Sequence, residues 1–436
     1  MGIIILFIVL GIEVGYTVYC LKTKGYQERL KHLCSFSMLG LLILFALFGI
    51  TGFNFRWNML HLILLIQSVL GIRYFYLHKN NRKGKKEKIF SRKRVIIACI
   101  RRSFLLMTAI IPAIIFPQIK PVEVTGTLPI KTVSYTLTDT SRKESFSQKD
   151  TDRKVTIQFW YPEETAQRYP LVVFSHGAFG FRGSNRSTFE NLASNGYVVC
   201  SIDHTYHSFF TKQEDGNMVI ANMDFVNDAM AAQNGDYDEQ KTYELSHGWL
   251  KLRTEDFNFV LDTILDRITE PDTEEVYRLI DPVHIGVLGH SLGGATAASI
   301  GRERSDVDSV IVVDGTMFGE ENGYEDGSYI LNQEPYPVPL LNLYNEEHYL
   351  EAKELGESYD NISATVHALD AREVVFRGAG HINFTDLPMF SPFLAGMLGT
   401  GEIDSRYCIE KMNEVILDYF NYYLKNSGTL RLQTEY

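Results

Sequence analysis

The chain has 436 residues, 45% of them hydrophobic, and a net charge of −11, which is long for one small domain and leaves room for a large core. The charge is divided: residues 1–120 hold 18 Lys+Arg against 3 Asp+Glu, and the remainder holds 24 against 50. Such a split excludes one body in uniform surroundings, and the five cysteines, lacking C-x-x-C spacing, suggest no metal or redox site.

Apolar stretches come first. Residues 2–19, 34–53 and 58–77 each have the length that crosses a hydrocarbon core of ~30 Å, and residues 103–119 form a shorter fourth candidate containing two prolines. Arg101 and Arg102, just ahead of the fourth, are expected to snorkel at its cytoplasmic end, because an arginine at a helix centre costs ~2.5–3.5 kcal/mol. Glu13, inside the first, reads as a helix-packing contact. The loops after the first and third stretches are strongly basic, whereas the turn after the second carries only Arg56. The positive-inside rule then gives a multi-pass cell-membrane protein with those two loops in the cytoplasm. Four spans put residues 121–436 on the extracytoplasmic side; three would put them inside. The first span lacks the basic start and A-x-A-like site of a cleaved signal peptide. The basic run at residues 79–94 reads as a topology signal beside a span, not as a nucleic-acid site.

Residues 121–436 alternate apolar runs with helical patterns. Runs suited to buried strands lie at 155–162, 170–177, 197–204, 284–290, 309–315, 337–345 and 373–381, and helical periodicity at 187–196 and 249–268. Alternation of this kind predicts an α/β fold, a mostly parallel sheet with helices on both faces and a site beyond the carboxyl ends of its strands. Residues 208–240 are expected to form a lid or pocket wall. Cys200 and Cys408 are either buried free thiols or a bridge. Asn185, Asn361 and Asn383 begin N-x-[ST] sequons.

The run "HIGVLGHSLGGATAAS" sets Ser291 between Gly289 and Gly293, after a strand and before a helix start. G-x-S-x-G arises by chance in roughly one chain in seven of this length at average glycine usage, so its setting carries the weight. Small neighbours allow the sharp turn that exposes a nucleophilic hydroxyl. Such a serine needs a base, and the base an orienting acid, in chain order Ser, Asp/Glu, His. Asp314, closing the next strand 23 residues on, is preferred over Glu346. His381, in the glycine-bearing loop "FRGAGHINFTD", is preferred over His348, which follows its strand too soon, and over His367. Leu292, after the serine, and Ala178, after "PLVVFSHG", are the candidate oxyanion-hole N–H donors. His176 reads as a packed residue shaping that loop, and the pair His204 and His207 as pocket wall.

Taken together and in order, "VVFSHGAFGFRGSN", "VLGHSLGGATAAS", "VVDGTMF", "FRGAGHINFTD" and "GEIDSRYCIEKMNEVILDYFNYYL" resemble the type II (plasma-type) platelet-activating factor acetylhydrolases over residues ~130–427. The resemblance implies an α/β-hydrolase catalytic domain over 121–436, preceded here by a transmembrane helical region over 1–120 where the animal enzymes have a secretion signal or lipid anchor. It implies Ser291 as nucleophile, Asp314 as acid, His381 as base, and Ala178 and Leu292 as oxyanion hole. It further implies calcium-independent, cofactor-free hydrolysis of phospholipids with short or oxidised sn-2 acyl chains, so the expected partner is a lipid or small ester and not a nucleic acid. Residues 208–240 show no match to the animal enzymes, which leaves acyl length open. A membrane sensor with a ligand-binding hydrolase-like domain, a serine peptidase and a general lipase are the competing readings.

Overall fold

The computed structural model describes residues 1–80, 89–147 and 150–436; the centre of the basic run, residues 81–88, lies outside them. The described residues divide into two compact units, Met1–Lys120 with Met389–Leu394, and Pro121–Pro388 with Ala395–Tyr436.

The first unit is built on four helices, α1 (Gly2–Thr23), α2 (Glu28–Leu47), α3 (Phe55–Asn80) and α4 (Arg92–Ile115), each long and apolar enough to cross a membrane. They bury one another's apolar side chains, among them Val9, Leu42, Leu60 and Leu106. Phe7, Leu44, Leu65 and Ile100 nevertheless stay exposed on the outside. Helices apolar on every side suit a lipid surround. The fourth helix differs from the span expected at 103–119: α4 starts eleven residues earlier, where the Ser91 side chain accepts a hydrogen bond from Arg94 N. Arg101 and Arg102 therefore lie mid-helix instead of ahead of it. Arg102 does not snorkel to an end; its guanidinium pairs with buried Glu13 of α1 at 2.5 Å. A charge in so apolar a bundle is tolerated when paired, and Glu13 thus has its packing partner.

The second unit carries an eight-stranded sheet. In chain order its elements begin β1 (Ile130–Lys143), β2 (Asp152–Pro162), β3 (Tyr169–Ser175), α5 (Arg186–Ser194) and β4 (Val198–Asp203). A small hairpin, β5 (Phe210–Lys212) and β6 (Met218–Ile220), leads to α6 (Met223–Gln233), α7 (Glu239–Thr269) and the short α8 (Glu275–Arg278). Then come β7 (Ile280–His290), α9 (Leu292–Glu303), β8 (Ser309–Val313), a second hairpin β9 (Glu321–Glu325) and β10 (Ser328–Leu331), and β11 (Leu340–Asn345). The chain closes with α10 (Glu346–Leu355), α11 (Asp360–His367), β12 (Ala371–Phe376), the short α12 (Leu387–Phe390) and α13 (Pro392–Met397), and α14 (Ser405–Lys425).

The strand order is β1-β2-β4-β3-β7-β8-β11-β12. Pairing is antiparallel for β1–β2 and β2–β4 and parallel from β4 to β12. Alternation along each strand separates two cores. Leu171, Val173, Ile285 and Val287 face Val260, Ile264 and Ala298 of α7 and α9; Val172, Phe174, Leu288 and Ile311 face Phe189 of α5 and Met412, Ile416 and Phe420 of α14. Close approach fixes Gly286, where a Cβ would stand 2.6 Å from the Phe420 ring. Cys200 and Cys408 fall in different cores and all five cysteines are free. Asn185, Asn361 and Asn383 are buried, at 4%, 0% and 0% exposure, so none is presented as a glycan acceptor.

Candidate active site

The parallel strands all end on one edge, and the site residues come from those ends. Ser291 is the single residue between β7 and α9 and has φ 56° and ψ −127°, a conformation that costs a non-glycine residue energy and persists only where its surroundings enforce it. The surroundings here are glycines. A Cβ on Gly289 would stand 1.9 Å from the Gly293 oxygen, one on Gly293 2.0 Å from the Ser175 oxygen, and one on Gly315 2.4 Å from the Ser291 oxygen. Gly293→Ala is therefore expected to destabilise the fold by more than about 4 kcal/mol; a thermal melt at the wild-type midpoint would show the turn is built otherwise.

Asp314 follows β8 with φ 50°, anchored by its N–H to the Leu343 oxygen at 2.7 Å. Its carboxylate is fully buried and receives four donors. Oδ2 accepts from His381 Nδ1 at 2.6 Å and Asn345 Nδ2 at 2.6 Å; Oδ1 accepts from Asn345 N at 2.9 Å and His348 Nδ1 at 3.0 Å. Burial alone would raise this carboxyl, but the hydrogen bonds from His348 and His381 outweigh it and hold the group well below the usual range.

His381 opens a helical turn after β12, and Gly380 before it must be glycine, since a Cβ there would meet the Gly399 oxygen at 2.5 Å. With Nδ1–H given to Asp314, the Nε2 lone pair is left to act as a base. The His290 ring lies 4.6 Å from the His381 ring and donates Nε2–H to the His381 oxygen at 3.2 Å; burial brings His290 down to about 3, so it stays neutral. Among the described residues no hydrogen bond joins Ser291 Oγ to His381, and such contacts commonly tighten only with substrate bound.

The loop after β3 runs against the serine: a Cβ on Gly177 would lie 3.2 Å from Ser291 Cβ. Arg253 of α7, fully buried, donates to the carbonyl oxygens of His176, Gly177 and His207. In a trans peptide the N–H points opposite to the C=O, so holding the Gly177 oxygen turns the Ala178 N–H the other way. Ala178 and Leu292 meet in one apolar cluster with Phe225, Ala229, Leu250 and Ala295. Phe225 stacks flat on His207, centroids 3.9 Å apart, and edge-on to Trp249. The 208–240 segment thus supplies a wall of this cluster through α6.

A second Ser-His-Asp series lies beneath. Ser175 Oγ meets His204 Nε2 at 2.9 Å, and His204 Nδ1 meets Asp256 Oδ2 at 3.1 Å. All three are 0% exposed, and Asp256 is already taken by Arg153 at 2.7 Å and Arg142 at 2.9 Å. Burial drives His204 down to about 4. A serine that no substrate can reach, beside a histidine that resists protonation, holds strands together and does no acyl chemistry. His176 is buried nearby, between the Gly177 oxygen and Ser208 Oγ.

The structure thus brings Ser291, Asp314, His381, Ala178 and Leu292 to one edge. It puts Glu346 on Arg377 and Gly378 N, and turns His367 back onto the Ser363 oxygen of its own helix. Reasoning from spacing set His348 aside as a base and did not single out Asn345: no loop separates β11 from α10, so Asn345 caps the helix and its first turn faces the strand ends.

A serine on a strained strand-to-helix turn, above parallel strands, is what an α/β-hydrolase provides, and by fold the chain is one. It superposes on ferulic acid esterase from Streptomyces cinnamoneus with a TM-score of 0.54 and 21% identity, over 72% of this chain and 95% of the other. Within that class, residues 143–430 match the family described as platelet-activating factor acetylhydrolase, isoform II, and the chain belongs to it. It is 26% identical to the platelet-activating factor acetylhydrolase of Canis lupus familiaris over 278 residues, 60% of this chain and 59% of that protein. To the Bos taurus protein of the same name it is 25% identical over 279 residues, 60% of this chain and 58% of the other. The chain spans less than two thirds of the length of these relatives.

Proposed function

We propose that the chain is a membrane-anchored serine esterase that hydrolyses carboxylic esters, with phospholipids bearing short or oxidised sn-2 acyl groups as its preferred class. The observation that carries this is the strained Ser291 turn together with the hydrogen bond from partly exposed His381 to the buried Asp314 carboxylate. Ser291 Oγ attacks the ester carbonyl as His381 Nε2 takes its proton, and the Leu292 and Ala178 N–H groups hold the oxyanion. His381 returns the proton to the departing alcohol, then activates water to release the acyl group from the serine. Asp314 keeps Nδ1 protonated and the imidazolium stabilised. Loss of one oxyanion donor of this kind costs about 3–4 kcal/mol of barrier. Residues 1–120 form the membrane anchor, and the basic loops orient it with residues 121–436 outside the cytoplasm.

A short acyl group is supported by the packing of Phe225 in one apolar cluster with Ala178 and Leu292, the two residues assigned as donors. For the full chain in detergent, rates on p-nitrophenyl esters from acetyl to palmitoyl are expected to fall with length. Phe225→Ala should move the optimum toward longer chains, each accommodated methylene being worth about 1–3 kcal/mol. A wild-type preference for palmitoyl would make the chain a general lipase; serine-dependent cleavage of amides but not esters would make it a peptidase.

A further inference from the structure

Asp314 serves two histidines. His381 takes Oδ2, as the proposed mechanism requires, while His348 occupies Oδ1 at 3.0 Å. An ionised carboxylate only accepts hydrogen bonds, so His348 Nδ1 carries a proton toward it in either charge state of the ring. At the far end, His348 Nε2 is 2.7 Å from the Tyr359 hydroxyl, which in turn lies 3.2 Å from Thr316 Oγ1. Tyr344 packs edge-on against the same ring, 5.1 Å between centroids. The imidazole is therefore held at both nitrogens and across one face.

We propose that His348 is a positioning residue for the acyl-transfer reaction, the middle of a series Thr316–Tyr359–His348–Asp314–His381 that fixes the acid so that Oδ2 is aimed at the base. The geometry of the carboxylate carries the argument. Each oxygen takes two donors, and three of the four come from the β11–α10 junction: Asn345 N, Asn345 Nδ2 and His348 Nδ1. Losing the His348 donor leaves Oδ1 on Asn345 N alone. The carboxylate can then rotate about its last bond, and any rotation that recovers a second donor for Oδ1 takes Oδ2 away from His381 Nδ1. That contact matters beyond simple support, because the acid selects the tautomer in which Nε2 is free to accept the serine proton. Among the described residues His348 makes no hydrogen bond to Ser291; its partners are Asn345, Asp314 and Tyr359.

The inference rests on the esterase reading above, and the experiment separates the two. In the full chain in detergent, kcat and KM on p-nitrophenyl acetate would be measured for wild type, Ser291→Ala, His348→Leu, His348→Asn and Tyr359→Phe, with a thermal melt for each and the low-field proton resonance of the His381–Asp314 hydrogen bond. His348→Leu is expected to lower kcat about ten- to hundredfold, by analogy with the outer partners that orient metal-bound histidines, with KM within about twofold. His348→Asn, whose amide can still donate to Oδ1, should recover most of the rate. Tyr359→Phe should show a smaller loss of the same kind, and the low-field resonance should weaken in the order Asn, Phe, Leu. Should His348→Leu fail to fold, Tyr359→Phe and His348→Asn decide alone. Unchanged kcat in the His348 and Tyr359 variants with Ser291→Ala inactive, or equal losses in His348→Asn and His348→Leu with the resonance intact, would overturn the assignment while leaving the esterase reading standing. Absence of serine-dependent turnover in wild type would overturn both.

Discussion

Replacing Ser291 by alanine is expected to cut kcat for ester hydrolysis by about a millionfold, the loss seen when a hydrolase nucleophile of this type is removed, while the fold stays intact. Alanine keeps the Cβ that the φ 56° turn already accommodates, so the backbone strain is unchanged. The Ser291 hydroxyl has no hydrogen-bond partner among the described residues, so its removal orphans nothing. The anchoring contacts of the turn, Ser291 N to the Val313 oxygen at 2.9 Å and Gly294 N to the Ser291 oxygen at 2.7 Å, are made by the backbone. Activity and stability should therefore separate cleanly in this variant. A fluorophosphonate probe should label wild type and not Ser291→Ala, and any residual turnover would come from the oxyanion donors and binding alone. Retention of even a tenth of wild-type kcat would remove Ser291 from the chemistry and with it the proposed mechanism.

What the sequence made legible follows from which forces act locally. Buried parallel strands read as continuous apolar runs, and β3, β4, β7, β8, β11 and β12 all coincide with runs that spacing alone picks out. β1 was not legible, because its segment "IKTVSYTLTDTSRK" lies at the sheet edge, half buried, and mixes polar with apolar residues. The small hairpins β5–β6 and β9–β10 are too short and exposed to leave a periodic signal. At the site, Ser291, Asp314 and His381 were legible because each sits at or just after a strand end with glycines beside it. His348, Tyr359 and Arg253 were not, since their roles arise from which helix faces which strand end. Arg102 is the same case in the first unit: hydropathy located the apolar stretch but not its earlier start at Ser91, and so misplaced two arginines along the helix. One further lesson concerns pattern matching itself. Ser175, His204 and Asp256 satisfy the distances of a catalytic series and fail on access and on the charge partner of the acid.

That contrast yields the other large effect. Asp314→Asn is expected to lower kcat by about ten thousandfold, with a lesser loss of stability because its NH2 faces donors that the carboxylate accepted; the activity falls because the amide no longer selects the Nδ1–H tautomer of His381 or stabilises its protonated form. Asp256→Asn should do the reverse. Its carboxylate neutralises Arg153, which is buried, and also meets Arg142 and His204. Removing one partner of a buried ion pair leaves an uncompensated charge and costs about 3–5 kcal/mol. The folded fraction of Asp256→Asn should still turn over ester within severalfold of wild type, since His204 and Ser175 are sealed from substrate. Denaturant midpoints and kcat per active site, titrated with the fluorophosphonate, would be measured on both proteins. A stable Asp256→Asn protein with its activity gone would mean that the buried series acts through the Gly177–Ala178 loop above it, and the oxyanion hole would then depend on the lower network as much as on Arg253. A stable, active Asp314→Asn protein would move the acid elsewhere, and Glu346, engaged with Arg377 and Gly378 N, is in no position to take its place.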